Sequence, residues 1–413
     1  MIHAVRTNAA AAAAQTGASG DGPRAIDAAF SVPFTHRLRI ARGVFDAGDR
    51  TIADLLEPTD ARGARVLPVV DDGLARAQPD LLDRIEAWLD SHGVSHGGSN
   101  STAIVRAGEP VLVPGGEAAK NDPAVIDDLL ARTDAAGLCR RSYVLAVGGG
   151  AVLDAAGLAA SLLHRGVRTV RVPTTTLSQA DSGVGVKNGV NLGGKKNLAG
   201  TFAVPWAVVN DADLLASLPD RHWRAGFAEA LKVALLKDPV LFDAIERGAG
   251  AVRARDLGVC EPIVTRSAEL HLRHIAEGGD PFELGSARPL DFGHWSAHRL
   301  ESMSGHEITH GDAVAIGLAI DCVYARGRGL LGAGDTARVL HALRALGFGL
   351  SHPLLSRAGE ILEGVEQFRE HIGGPLVLTM IGGIGEPIEL TEIDRGAMAA
   401  AIAEVHETGG GTA

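Results

Sequence analysis

Cysteine is scarce in this chain. Three residues of 413, Cys139, Cys260 and Cys322, lie far apart and in no metal-type spacing, which excludes a disulfide scaffold and fits a reduced, cytoplasmic setting. Positive charge is in deficit too, with 39 Lys plus Arg against 50 Asp plus Glu and a formal net charge of −11. So acidic a surface argues against general nucleic-acid binding and against attraction to anionic membranes, and any phosphate site must be a local basic pocket. Long apolar runs are missing as well. The stretches around 143–163 and 313–324 are broken by Asp154, Asp321 and glycines, and fall short of the about 20 apolar residues a membrane span needs. Residues 1–25 carry an alanine run without the basic flank and apolar stretch of a secretory signal, and are expected to be a disordered tail.

What remains is an ordinary globular composition, 46 % hydrophobic and 22 % charged, in a chain long enough for two domains of about 100–200 residues each. Residues 65–70 form a short apolar run and 81–89 have helical spacing. A strand at 143–147, a glycine turn at 148–150, a helix over 151–164 and a strand at 169–172 then make a parallel α/β unit. Beyond 208–210 strand signals fade. Helical spacing over 223–236, 259–276, 292–303, 313–326 and 336–346 predicts a mainly helical second half. The expected organisation is therefore an α/β nucleotide-type domain over 26–210 and a helical domain over 211–413, with ligands in the cleft between them.

The glycines of Gly148-Gly149-Gly150 sit where a strand turns into a helix, so backbone amides can approach a pyrophosphate. Alone they match an ordinary tight turn equally well. A second segment, Gly115-Gly116-Glu117-Ala118-Ala119-Lys120, adds an acid suited to ribose hydroxyls and a lysine suited to phosphate, and two such loops in one α/β half favour a dinucleotide. After Pro173 come Thr174, Thr175, Asp181, Lys187, Asn191, Lys195, Lys196 and Asn197, interleaved with glycines. Their alternative is a solvated basic loop, but a cationic cluster in an acidic chain points to an anionic substrate group held by charge-assisted bonds to flexible backbone.

Glu229 and Lys232 share one side of a helix at i, i+3 and by themselves read as a surface ion pair. His294 and His298 stand at i, i+4 on a helix beginning near Asp291, and His310 opens the next one, so a helical hairpin can bring His310 back beside His294. A carboxylate with two histidines is a common zinc ligand set that leaves positions open for substrate oxygens. Among sixteen histidines most are surface or core residues, and the set is raised only by its context.

In order and spacing these motifs resemble the sugar-phosphate cyclases, the family of dehydroquinate synthase, over about residues 66–386. The segments that carry the likeness are Gly148-Gly149-Gly150 with Asp154, Val172-Pro173-Thr174-Thr175, Asp181 through Lys187-Asn188-Gly189-Val190-Asn191, Lys196-Asn197, Ala228-Glu229-Ala230-Leu231-Lys232, Phe292-Gly293-His294 and His310-Gly311-Asp312. The resemblance implies a Rossmann-like NAD-binding domain followed by an all-α metal-binding domain. It implies NAD held by Asp71, Gly115, Gly116, Glu117, Lys120, Gly150, Asp154, Thr174, Thr175, Lys187, Lys196, Leu214 and Ser217. A divalent metal, zinc with cobalt as the alternative, is implied on Glu229, His294 and His310. Substrate and phosphate contacts are implied from Asp181, Lys187, Lys196, Asn197, Lys232, Asp291 and His298. Arg165 is implied to reach the neighbouring subunit's site, hence a homodimer. The implied activity is conversion of a seven-carbon sugar phosphate to a carbocycle, with phosphate elimination through transient oxidation by NAD. The alternatives are a sedoheptulose 7-phosphate cyclase of the valiolone type, a polyol dehydrogenase like glycerol dehydrogenase, and a degenerate binding protein.

The chain also departs from the dehydroquinate-synthase pattern. Asp291 stands where an asparagine is usual, Ala287 where an arginine is usual with Arg288 one place later, and Arg273 where a lysine is usual. Residues 277–283 depart from the usual acidic segment, and Arg369-Glu370 replaces a lysine pair. Asp291 resembles the sedoheptulose 7-phosphate enzymes, whereas His298 resembles the dehydroquinate synthases. The mixture is most similar to the dehydroquinate-synthase-like members encoded in ebo-type secondary-metabolite clusters.

Overall fold

The computed structural model describes residues 26–93, 103–193, 195–285, 289–305 and 307–409. The tail expected over 1–25 lies outside them, as do Ala287 and Arg288. Met1–Phe34 is one unit and Thr35–Ala413 a second, compact one; the described part of the first, 26–34, has no regular secondary structure. Every strand and helix below belongs to the second.

Among the described residues nine strands precede residue 212: β1 (Leu38–Ala41), β2 (Ala64–Asp71), β3 (Ile104–Arg106), β4 (Val111–Val113), β5 (Tyr143–Gly148), β6 (Arg168–Pro173), β7 (Lys187–Leu192), β8 (Lys195–Phe202) and β9 (Ala207–Asp211). Seven form one parallel sheet in the order β1-β9-β6-β5-β2-β3, with β4 also beside β2. Strands buried on both faces need unbroken apolar runs, and β5 is buried at all six positions. Tyr143, Leu145 and Val147 pack with Val66, Val70, Val170 and Val172 on one face. Val144 and Ala146 pack with Leu67 and Val69 on the other. The connecting helices are α1 (Asp72–Ala77), α2 (Leu81–Ser91), α3 (Ala118–Asn121), α4 (Pro123–Ala135) and α5 (Gly150–Leu162). In such sheets the ligand crevice opens at the carboxyl ends of the strands, which here end at Asp71, Gly148, Pro173 and Asp211.

From Asp220 onward helices dominate: α6 (Asp220–Lys237), α7 (Pro239–Arg253), α8 (Leu257–Glu277), α9 (His294–Met303), α10 (His310–Gly327), α11 (Ala333–Ala345), α12 (Ala358–Ile372) and α13 (Arg395–Gly409). The apolar helix α10 is buried along nearly its whole length, as a helix hydrophobic all round must be. It packs against α6, α9, α11 and α13, and Phe227, Leu231, Trp295, Ile316 and Ile320 lie in their common core.

Three expectations need correcting. The helix placed near Asp291 begins at His294, because Gly293 adopts φ 77° and breaks the turn before it. The second half is not free of strands, since β10 (Leu378–Gly383) and β11 (Glu386–Leu390) form an antiparallel hairpin. Glycines and a proline interrupt its alternation in sequence, and burial of Met380 and Ile381 decides it. The glycine-rich segment 187–197 is no flexible loop, for β7 and β8 pair antiparallel with Gly189 opposite Gly200.

That hairpin is tied to the sheet by a buried arginine. Arg171 on β6 is 1 % exposed, and its guanidinium donates to the carbonyls of Gly183, Gly185 and Lys187 and to Asn188 Oδ1 at 2.6–3.2 Å. His36 fastens the same segment, its Nε2–H donating to the Val184 carbonyl at 2.6 Å. Burial, with Arg171 and His271 nearby, pushes the His36 imidazole down to about 4. An unfolded histidine takes up its proton below about 6.5 while the folded one resists until about 4. The stability His36 contributes is therefore present above pH 6.5 and lost as pH falls toward 4. Between pH 8 and pH 5 the loss is about 2 kcal/mol. In urea unfolding the loss between the two pH values should be about 2 kcal/mol larger in the native chain than in His36→Gln.

Candidate active site

Three helices place a carboxylate and two imidazoles at one point. Gly311 lets α10 approach α6, since a Cβ there would lie 2.5 Å from Ala225 Cα. The carbonyl of Gly293 lies so close to Gly317 on α10 that a Cβ on Gly317 would meet it at 2.1 Å. Asp321 on α10 accepts the Gly293 N–H and the Trp295 indole N–H, both at 2.9 Å, and so clamps the residues on either side of His294. Thr309 caps α10 by accepting from the Asp312 N–H.

His294 Nε2 and His310 Nε2 consequently lie 3.4 and 3.1 Å from one oxygen, Glu229 Oε1. All three ligand atoms fall within 4.8 Å of one another. The other nitrogens are engaged outward: His294 Nδ1 lies 3.1 Å from the Phe292 carbonyl and His310 Nδ1 3.0 Å from Glu301 Oε2. These acceptors hold a proton on each Nδ1 and aim each Nε2 inward at the Glu229 carboxylate, where a metal ion would take the place of the Nε2 protons. Burial alone would raise Glu229, but Lys232 and His294 hold its carboxyl well below the usual range. Burial alone would lower His310, but Glu301 and Glu229 lift it to about 9.

Beside this corner Lys232 Nζ lies 2.5 Å from Glu229 Oε2 and 4.0 Å from Asp181 Oδ1. Despite full burial, these acids keep Lys232 charged, with a further pull from Asp291. His271 on α8 meets Asp181, Nδ1 to Oδ1, at 2.8 Å. His298 stands a turn beyond His294, its ring 5.4 Å from that of His294 and 5.9 Å from that of His310. His298 is solvent-exposed, yet desolvation by the protein packed around it, with His294 and His310 beside it, holds it below the ordinary histidine value and so neutral.

The hairpin supplies the opposite wall. Lys196 Nζ is 2.7 Å from Glu301 Oε1 and 3.7 Å from Glu117. Glu117 accepts from Asn191 Nδ2 at 2.8 Å, and Asn191 accepts the Asn197 N–H at 2.9 Å. Asn197 in turn accepts from the Lys120 ammonium, which lies 2.6 Å from Asp154 Oδ2. Lys187, more exposed, pairs with Glu283 at 2.6 Å.

At the strand ends, α5 begins at Gly150 with no side chain capping its first amides. Gly149 and Gly150 face Thr175 and Ser182, where a Cβ would meet Thr175 Cγ2 at 3.2 Å and Ser182 Oγ at 2.8 Å. The Thr174 N–H donates to the Gly148 carbonyl at 3.0 Å, and Thr175 Oγ1 bonds Ser178 Oγ at 2.8 Å. Gly115 and Gly116 turn the chain beside Asp71, the former so close that a Cβ would lie 2.6 Å from Asp71 Oδ1.

Not every expected residue joins this cluster by its side chain. Asp71 spends Oδ1 capping α1 through the Gly73 and Leu74 N–H groups. The Leu214 carbonyl and Ser217 Oγ are both engaged by Gln78 Nε2. Arg165 follows the far end of α5, in an open depression with Cys139, Arg140, Arg141 and His164. Arg273 is exposed on α8, two positions from His271 and so on another face. Two buried members were not anticipated. Glu301 shares the helix face of His298 at i, i+3, a spacing that could have exposed it; His271 belongs to no motif.

Residues 110–225 match the family described as 3-dehydroquinate synthase N-terminal, and residues 226–367 the one described as 3-dehydroquinate synthase C-terminal. A 2-epi-5-epi-valiolone synthase of Streptomyces glaucescens is 34 % identical over 352 residues, 85 % of each chain. A 3-dehydroquinate synthase of Caulobacter vibrioides is 34 % identical over 331 residues, 78 % of this chain and 89 % of that one. Among solved structures, a 2-epi-5-epi-valiolone synthase from Streptomyces hygroscopicus subsp. jinggangensis, with NAD+ and Zn2+ bound, superposes with a TM-score of 0.81 at 28 % identity, covering 92 % of this chain and 99 % of that one.

The Lys120–Asp154 pair offers a test of the site's internal electrostatics. Its side chains are 5 % and 24 % exposed, and removing one partner strands the other charge out of water. Lys120→Met should cost about 2–3 kcal/mol in urea unfolding. The double variant Lys120→Met/Asp154→Leu should recover most of it.

Proposed function

We propose, from the premise that the chain belongs to the 3-dehydroquinate synthase family, that it is a sugar-phosphate cyclase. It takes a seven-carbon sugar phosphate, expels the phosphate and closes a carbocycle. The observation that carries this reading is the Glu229–His294–His310 corner, faced by Lys196 and Lys232 in one cleft. The inward-facing Nε2 atoms around a buried carboxylate fit a divalent metal, zinc or cobalt, on Glu229, His294 and His310 once their protons are given up. The uncapped first turn of α5 and the glycine cradle fit the pyrophosphate of NAD+, as a helix N-terminus does. When bound, the nicotinamide supplies transient hydride removal and return, and the metal polarises the substrate's oxygens.

The chain's own groups do the rest. Lys196 and Lys187 hold the phosphate that leaves, each exchanging an internal acid for a ligand anion. Lys232, kept charged by Glu229 and Asp181, donates to a substrate hydroxyl and fixes its orientation. Asp181 accepts from the same region, and neutral His298 offers an acceptor nitrogen beside the corner. Lys120, Asp154, Glu117 and Asn197 set the walls that position the nucleotide and the sugar. Arg165 lies at the far end of a helix of 13 residues, about 20 Å from the cradle. That position is compatible with the role the family likeness implies, reaching a neighbouring subunit's site in a homodimer of a cytoplasmic enzyme.

Among seven-carbon substrates, one without a carboxylate is favoured. Asp291 adds negative charge beside Lys232, Arg273 points elsewhere, and the cations among the described residues of this part of the cleft are spent on its own acids, leaving none of them for a second anion. The test is phosphate release by NAD+- and Zn2+-loaded protein supplied in parallel with sedoheptulose 7-phosphate and 3-deoxy-arabino-heptulosonate 7-phosphate. Release from the former alone is expected. Release from the latter alone assigns a dehydroquinate synthase, whereas net NADH formation from a polyol without phosphate release overturns the cyclase reading. His294→Ala should lose bound metal and lower phosphate release on the order of 1,000-fold, with its circular dichroism unchanged.

A further inference from the structure

Glu301 joins two parts of the cleft that no other side chain connects directly among the described contacts. Its carboxylate is 4 % exposed. Oε2 faces His310 Nδ1 on α10 at 3.0 Å, and Oε1 faces Lys196 Nζ on β8 at 2.7 Å. One buried acid from α9 thus meets the imidazole of the metal corner and the ammonium of the opposite wall. His298, Glu301 and His310 also have ligand atoms within 4.8 Å of one another. A second dication there would have to displace the Lys196 ammonium from Glu301 and strip the proton from His310 Nδ1, so this geometry suits orientation of a ligand better than a second ion.

We propose that Glu301 is a positioning residue that presents His310 to the metal and Lys196 to the substrate's phosphate, coupling the two binding events through one carboxylate. The inference rests on the reading of Glu229, His294 and His310 as the metal ligands. A carboxylate accepting the outer N–H of a metal-bound imidazole fixes the ring and raises its donor strength. Cation binding at Nε2 makes the Nδ1–H a stronger donor, draws Glu301 toward it and loosens its hold on Lys196. The freed ammonium then takes phosphate more readily, and by linkage phosphate must tighten the metal to the same degree.

The test uses the full chain, stripped of metal and titrated with Co2+ against a chelating competitor, with and without inorganic phosphate. Wild-type protein should bind one Co2+ per chain, and more tightly when phosphate is present. In Glu301→Gln the amide has a single acceptor end and cannot serve His310 and Lys196 together. Its Co2+ affinity should fall roughly 10–100-fold, with an altered cobalt visible spectrum and no phosphate coupling. Lys196→Met, which releases Glu301 wholly to His310, should bind Co2+ without phosphate at least as tightly as wild type and lose the coupling, and this arm decides if Glu301→Gln fails to fold. Glu301→Asp, which restores the charge, should recover part of the affinity. Unchanged Co2+ affinity in Glu301→Gln, unchanged coupling in Lys196→Met, or two Co2+ per wild-type chain would each overturn the proposal alone. A wild type that takes up no Co2+ overturns the metal reading, and this inference with it.

Discussion

A charge taken out of water costs several kcal/mol unless an opposite charge or hydrogen bonds replace the solvent. The cleft of this protein is built around that constraint. A run of contacts passes from Asp154 through Lys120, Asn197, Asn191, Glu117, Lys196 and Glu301 to His310, then through Glu229 and Lys232 to Asp181 and His271. Acids and cations largely alternate along it. Each side chain is oriented by the next.

The backbone supplies what the side chains cannot. A parallel sheet buried on both faces brings the ends of β2, β5, β6 and β9 to one edge, and the uncapped start of α5 is left beside them. The hairpin of β7 and β8 leans from that edge toward the helices, tied down by Arg171, whose guanidinium substitutes for water at the carbonyls of Gly183, Gly185 and Lys187. Across the cleft, close contacts of α10 with α6 and α9 fix the Glu229–His294–His310 corner. The two walls meet in Glu301.

Much of this was legible in the chain. The apolar run of β5 with its glycine turn reads directly as a strand entering a crossover helix, because burial on both faces leaves no other pattern. Glu229, His294 and His310 were legible for a different reason: their flanking motifs occur in a distinctive order. The hairpins at 187–202 and 378–390 were not legible, since glycine and proline obscure the period of two that marks a strand. Glu301 and His271 escaped because a lone acid or histidine on a helix carries no mark of what faces it.

Sequence by itself determined the family and the α/β-then-helical order of elements, and it singled out Glu229, His294 and His310, all of which rest on local patterns and their spacing along the chain. Only the tertiary structure decided how the charges pair. Lys120 meets Asp154 34 positions away and Lys196 meets Glu301 105 positions away, and Arg165 is set apart at the opposite end of α5. Such pairings follow from how the sheet, hairpin and helices pack, and the cost of an unpaired buried charge selects among them.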